Sequence, residues 1–143
     1  MFATRTARIL VVEDHDFMRR SYKTFFQLED DIEVEWMVET GGEAQEVLRE
    51  NQPDLAVVDM DLPDMDGSDV IRTCRDADPA IPALVVSGHN QTEVINRALT
   101  AGAQGYVIKG NAQHIVEGVK AVLRGERFLS DNLPDDIIDS DPW

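Results

Sequence analysis

Short apolar runs alternate with helical patterns along almost the whole sequence, and this alternation most restricts the possible fold. Runs rich in β-branched residues predict strands at 9–12, 32–38, 55–58, 83–86 and 106–108. All except the second are apolar at consecutive positions, as in parallel strands that are covered on both faces. Parallel strands need long crossovers, and these crossovers are right-handed. The pattern therefore predicts an α/β fold, a doubly wound parallel sheet with helices on both faces.

Five amphipathic helices are predicted between and after these strands, because apolar residues recur there every three to four positions. Gly102 and Gly125 mark helix ends, and Pro53 and Pro79 precede strands. The apolar stripes are Met18, Tyr22, Phe25 and Leu28; Ala44, Val47 and Leu48; Val70, Ile71 and Cys74; Val94, Ile95, Ala98 and Leu99; and Ile115, Val119 and Val122.

The size of the chain and its charge limit the classes of function. A length of 143 residues fits one domain, predicted here as residues 1–130, followed by an acidic tail over 131–143 with no DNA-binding domain. Thirteen basic and 28 acidic residues give a net charge of -15, which opposes direct binding of nucleic acid or anionic membranes.

Cys74 is the single cysteine and is expected to be a buried thiol. With no apolar run of about 20 residues and no signal-peptide pattern, a cytoplasmic location is expected.

Polar residues follow the strands at the points where they end. Glu13 and Asp14 follow the first strand, Asp59 the third, Ser87 the fourth and Lys109 the fifth. The carboxyl ends of parallel strands share one edge of the sheet, where doubly wound folds bind ligands. We therefore expect three carboxylates, a hydroxyl and an ammonium to converge.

Three adjacent carboxylates would raise one another's pKa unless a cation lay among them, and Mg²⁺ suits such oxygen ligands. Asp14 and Asp59 are expected to be direct ligands, together with the backbone carbonyl of Asp61, while Glu13 acts through water. Asp59 would keep one oxygen free to attack phosphorus. Lys109 and Ser87 could then stabilise the transferred phosphoryl group.

The stretch VVDMDLPDMDG at 57–67 places four aspartates within eight residues. Asp59 and Asp61 are explained by the metal site. Asp64 and Asp66 are expected to serve the loop and the N-terminus of the next helix. A helix N-cap remains the alternative role for Glu13 and Asp14.

Four segments together resemble the receiver domain of bacterial response regulators, over about residues 7–130. They are ILVVEDHDFMR, LAVVDMDLPDMDG, ALVVSG and GAQGYVIKG. The resemblance implies a flavodoxin-like (βα)5 fold, with five parallel strands in the order 2-1-3-4-5. It also implies Mg²⁺-dependent phosphotransfer to Asp59 from a sensor histidine kinase or a phosphotransfer protein. By this resemblance the chain is a signalling domain and not an enzyme.

The resemblance implies further roles around the site. Tyr106 matches the switch aromatic of the family, and Asp61 and His89 occupy positions that border the phosphate and tune its lifetime. The surface of the fourth helix, fifth strand and fifth helix would change on phosphorylation and control a partner, with homodimerisation left open.

The segments DHDFMR, GAQGYVIK and AVLRGERFLS resemble the branch that usually carries a C-terminal LuxR-type helix-turn-helix. The residues after Ser130 are too few for that unit, so the sequence is either a single-domain receiver or the receiver portion of a longer parent. Many receivers have proline after the lysine, but here Gly110 follows, and a trans peptide is expected.

Rival interpretations come from other classes of protein. VVDMD also resembles the nucleophile motif of haloacid-dehalogenase-type phosphatases, with Asp59 as nucleophile, but that family carries the motif on its first core strand. A pseudo-receiver used only for assembly is a third interpretation. His15, His89 and His114 lack the spacing of a zinc site.

Overall fold

The computed structural model describes residues 5–131 and 133–137. Strands and helices alternate along the chain, and the predicted elements all appear within a few residues of their expected positions. In order they are β1 (Ala7–Val12), α1 (Asp16–Phe26), β2 (Ile32–Val38), α2 (Gly41–Glu50), β3 (Leu55–Val58), α3 (Gly67–Asp76), β4 (Ala83–Ser87), α4 (Thr92–Ala101), β5 (Gly105–Ile108), α5 (Ala112–Leu123) and β6 (Phe128–Leu129).

The strands pair in parallel in the order β2-β1-β3-β4-β5-β6. The predicted flavodoxin-like order 2-1-3-4-5 is confirmed, and the sheet gains a sixth strand that the sequence analysis did not predict. In β6, Phe128 pairs with Gly105 and Leu129 with Tyr106. Two residues are too few to show a strand pattern in the sequence.

Two apolar layers cover the sheet, one on each face, as the consecutive apolar residues of the strands predict. Leu10 and Val12 point to the layer under α2, α3 and α4, where Ile71 and Ile95 are buried. Ile9 and Val11 point to the opposite layer under α1 and α5, with Tyr22 and Ile115. The sheet edge that carries the strand ends is therefore held rigidly between both layers.

One predicted core residue is wrong. Leu28 was assigned to the apolar stripe of the first helix, but its side chain is 79% exposed. The helix ends at Phe26, and Phe26 is the residue that is buried, with its ring stacked 6.2 Å from that of Tyr22. Leu28 lies beyond the helix, where the helical period no longer applies.

The remaining expectations concern single residues. Cys74 is buried, and burial raises the pKa of its thiol to about 12. Among the described residues the one cis peptide bond precedes Pro79, so the Lys109–Gly110 peptide is trans as expected. None of the described helices has the length and apolarity needed to cross a membrane.

The predicted acidic tail lies partly within the described residues. Leu133 and Ile137 are partly buried against the core layer that contains Ile95 and Tyr106. Residues 138–143 of this tail lie outside the described residues.

Candidate functional site

The carboxyl ends of β1, β3, β4 and β5 bring the predicted site residues to one edge of the sheet. The strand register places Val12 beside Val58, and Ser87 beside Ile108. The residues that follow these strand ends therefore emerge side by side: Glu13 and Asp14, Asp59, and Lys109. β2 lies at the far edge, as expected for an outer strand.

Lys109 joins the acidic residues of this edge. Its Nζ lies 3.1 Å from Asp59 Oδ2 and 3.1 Å from Glu13 Oε1. Asp59 is only 3% exposed and Glu13 only 1% exposed, so both carboxylates are removed from bulk water. The ammonium contacts both carboxylates, and it offsets part of the repulsion between them.

Burial and charge move the pKa values of the two acids in opposite directions. Burial and the nearby Glu13 charge together raise the pKa of Asp59 to about 6, against the opposing effect of Lys109. For Glu13, burial also acts to raise the pKa, but the hydrogen bond with His15 and the charge of Lys109 outweigh it and the pKa is lowered. Of the two coupled groups, Asp59 therefore holds a proton more readily.

The acidic cluster fits a divalent cation. Ligand atoms of Glu13, Asp14, His15 and Asp59 all lie within 4.8 Å of one another. Glu13 Oε1 and Asp14 Oδ1 are buried and accept no well-aligned hydrogen bond, although Lys109 Nζ lies 3.1 Å from the first and His15 Nδ1 3.2 Å from the second. Clustered carboxylate oxygens of this kind suit a hard oxygen-binding ion such as Mg²⁺. The N–H of Asp61 donates to Asp59 Oδ1 at 3.2 Å, so the Asp61 backbone lies against the same carboxylate.

A second group of residues meets at His89. The backbone N–H of His89 donates to Ser87 Oγ at 3.1 Å, and its carbonyl accepts from the Tyr106 hydroxyl at 2.9 Å. His89 Nε2 lies 2.6 Å from Asp61 Oδ2. Ser87 and Tyr106 are fully buried. The predicted hydroxyl, switch and lifetime residues are thus brought together, with His89 at their centre.

Two aspartates of the 57–67 stretch bind helix N-termini. The Asp66 side chain accepts from the N–H of Ser68 and caps α3. Asp64 accepts from the N–H groups of Gly41 and Gly42 at 2.8 and 2.9 Å, so it ties the loop after β3 to the start of α2. The expected helix role is thus present for both, although Asp64 serves α2 instead of the next helix.

The sequence analysis missed two residues of this site. His15 is the N-cap residue of α1, a position left open for Glu13 and Asp14, and its Nδ1 lies 2.9 Å from Glu13 Oε2. Arg19 donates from Nη1 to the carbonyls of Glu13 and Asp14, at 3.1 and 2.7 Å. Its position one helical turn past His15 was the available signal, because that spacing returns a side chain to the helix start.

Comparison with known proteins gives one family. The family model of the response regulator receiver domain matches residues 9–120. A curated relative, described as the uncharacterized transcriptional regulatory protein YhcZ of Bacillus subtilis, is 33% identical over 86% of this chain and 58% of its own length. The transcriptional regulatory protein DegU of Brevibacillus brevis is 27% identical over 92% of this chain and 56% of its own. The chain thus spans less than two thirds of the length of these relatives.

Solved structures give the same result. The crystal structure of a LuxR-family two-component response regulator from Aurantimonas sp. SI85-9A1 is 32% identical, with a TM-score of 0.84 over 90% of this chain and 92% of that one. The signal receiver domain of the putative response regulator NarL from Mycobacterium tuberculosis is 26% identical, with a TM-score of 0.80 over 85% of this chain and 99% of that one. Both of these structures are of response regulators.

Replacing Asp59 with Asn should stabilise the metal-free protein. The folded pKa of about 6 exceeds the ordinary 3.8, so ionisation destabilises the folded state as pH rises between these values. We expect the free energy of unfolding to rise by about 1–2 kcal/mol at pH 7.5 and by about half as much at pH 5. Urea denaturation in the presence of a chelator measures this. Exposed Asp30→Asn is the control, and an equal gain at both pH values would contradict the expectation.

Replacing Arg19 with Gln should weaken binding of Mg²⁺, because the carbonyls of Glu13 and Asp14 lose the donor that fixes their loop. We expect the Kd for Mg²⁺ to rise by about three- to tenfold in calorimetric titration. Arg20→Gln removes the same charge from the same helix, but Arg20 is 70% exposed and, among the described residues, its ion pair is with Asp16. If both variants bound Mg²⁺ equally well, Arg19 would have no positioning role.

Proposed function

Because the chain belongs to the response regulator receiver domain family, we propose that Asp59 accepts a phosphoryl group from a sensor histidine kinase or a phosphotransfer protein, in a Mg²⁺-dependent reaction. The observation that carries the proposal is the position of Asp59, which is buried beside Glu13 and paired with Lys109. A carboxylate in this setting is shielded from competing bulk water and can act as a nucleophile toward phosphorus.

The oxygens of Asp59 have different surroundings. Oδ2 is 3.1 Å from Lys109 Nζ, and Oδ1 accepts from the Asp61 N–H. These contacts fix the orientation of the carboxylate before a donor arrives. Preorganisation of this kind is the main contribution a protein can make to phosphoryl transfer.

Mg²⁺ would be held by Asp14, Asp59 and the backbone carbonyl of Asp61, with Glu13 acting through water. The ion would neutralise charge between donor and acceptor oxygens. The ligand atoms of Glu13, Asp14 and Asp59 lie within 4.8 Å of one another, which supports this assignment. The negative charge near Asp59 supports it as well, because repulsion would otherwise oppose the approach of an anionic phosphoryl donor.

Lys109 and Ser87 would bind the transferred group. The ammonium of Lys109 already contacts Asp59, and after transfer it could bind the negatively charged phosphoryl oxygens. Ser87 Oγ accepts from the His89 N–H, which leaves its own proton available for donation to a phosphoryl oxygen.

The proposed switch is the surface of α4, β5 and α5. Phosphorylation adds about two negative charges and three acceptor oxygens, and their pairing with Ser87 and Lys109 would draw in the loops after β4 and β5. Tyr106 is buried and bonded to the His89 carbonyl, so it lies where these two loops meet. The outputs proposed for this surface are control of a partner protein and homodimerisation. Direct nucleic-acid binding by these residues is not proposed, because the net charge is -15.

Incubation with acetyl phosphate and Mg²⁺ should add one phosphoryl group per chain, detected by intact-protein mass analysis. Asp59→Asn should stay unlabelled, because an amide cannot form the acyl phosphate, and a chelator should abolish labelling of the native chain. Asp30→Asn is the control, since it makes the same chemical change at an exposed acid outside the site. Labelling of Asp59→Asn would overturn the assignment, and many turnovers on a generic phosphomonoester would favour the phosphatase instead.

Replacing His89 with Ala should shorten the lifetime of the phosphorylated state without preventing phosphorylation. The His89 ring contacts Asp61 Oδ2 two residues past the acceptor, and loss of the ring would admit more water to the acyl phosphate. We expect the decay rate to rise by about two- to tenfold, measured by mass analysis after removal of acetyl phosphate. His114→Ala, on α5, is the control. Identical decay of the native and His89→Ala phosphoproteins would contradict this role.

A further inference from the structure

The residues after α5 cover the α4–β5 side of the molecule. We call residues 128–131 and 133–137 the strap. It begins with β6, crosses the edge of the sheet and reaches the N-terminus of α4. This is the same surface that the proposed function assigns to output, so the chain itself occupies part of it.

The first attachment of the strap is to β5. Beyond the pairing of β6, the Ser130 N–H donates to the Tyr106 carbonyl at 3.0 Å, and the Ile108 N–H donates to Ser130 Oγ at 3.1 Å. Ser130 is buried, so these bonds are shielded from water. A serine side chain thus continues the ladder of β5 up to the residue before Lys109.

The second attachment is to α4. The hydroxyl of Thr92, the first residue of that helix, donates to Asp136 Oδ1 at 2.8 Å. Leu133 and Ile137 pack against the core layer that contains Ile95 and Tyr106. The strap therefore contributes apolar area to the sheet face below α4.

Both attachments lie close in sequence to groups that face Asp59. Ile108 directly precedes Lys109, whose Nζ contacts Asp59. Thr92 lies at the end of the short loop that begins after Ser87 and contains His89. Because the strap spans these two segments, it is sensitive to their relative position.

We infer that the strap is an intramolecular ligand of the α4–β5 face, and that its 133–137 end leaves this face when Asp59 is phosphorylated. The inference rests on the proposed function, because the movement of the two loops toward a phosphoryl group supplies the driving force. If the loops after β4 and β5 shift relative to each other, the strap that joins them cannot keep both attachments, and the weaker attachment breaks. The weakest is the exposed Thr92–Asp136 bond, whereas the β6 pairing is shielded. Release would uncover apolar surface on α4 and β5 for a partner protein.

Hydrogen exchange of the native chain and Asp59→Asn, each with and without acetyl phosphate and Mg²⁺, tests this release. Exchange in the 133–137 segment of the native chain should accelerate by about tenfold or more on phosphorylation, while Asp59→Asn should not respond. Phosphorylation confirmed by mass with unchanged exchange in this segment would overturn the strap and leave the proposed function intact. Absence of phosphorylation in the native chain would overturn the proposed function itself.

A pair of neighbouring variants tests the coupling from the other direction. Asp136→Asn weakens the attachment to Thr92, whereas Asp135 is exposed and bonds to none of the described residues, so Asp135→Asn is a matched change of charge. Coupling is reciprocal, so a loosened strap should favour phosphorylation. At limiting acetyl phosphate, we expect the ratio of phosphorylated to unphosphorylated chain to be about two- to fivefold higher for Asp136→Asn than for the native chain. Asp135→Asn should match the native chain. Equal behaviour of the two variants would contradict the coupling.

Discussion

The ion pair between Lys109 and the buried acids is the interaction on which the site depends. Asp59 and Glu13 are almost completely removed from water, and two such carboxylates would repel each other strongly without a cation between them. The parallel sheet supplies that cation from a strand far away in sequence, since β5 ends beside the same edge as β1 and β3. The fold thus maintains a charge arrangement that is unfavourable by itself and useful for chemistry.

The site has two halves with different physical character. On the β1 side, Arg19 and His15 fix the acidic loop by charged hydrogen bonds, which favours a constant geometry for a cation. On the β4 side, His89 bonds through its own backbone to Ser87 and Tyr106, so these groups are linked through one short loop. The β1 side therefore fixes the positions of the charged groups, and the β4 side is where a conformational change can begin.

The sequence predicted the sheet and the meeting of Asp59, Glu13 and Lys109, because strand ends of a parallel sheet must share an edge. The strand order was implied by the family resemblance. It could not predict Arg19, whose carbonyl contacts depend on the exact path of the loop between β1 and α1. It also failed at Leu28, where the apolar pattern continued after the helix had ended. β6 was missed because its two residues derive their structure from the neighbouring β5 and not from any local pattern. Local periodicity identifies elements, whereas single contacts across loops need the coordinates.

The bonds of Asp64 to Gly41 and Gly42 have a consequence for the direction of any signal. They fasten the acceptor loop to the amino end of α2, where the partial positive charge of the helix strengthens the attachment. The loop is therefore braced on its α2 side by backbone N–H groups, whereas side-chain contacts join it to the β4–α4 side, Asp61 with His89 and Asp66 with Arg97. A displacement that starts at Asp59 is therefore resisted on the α2 side and passes more readily to the β4 side.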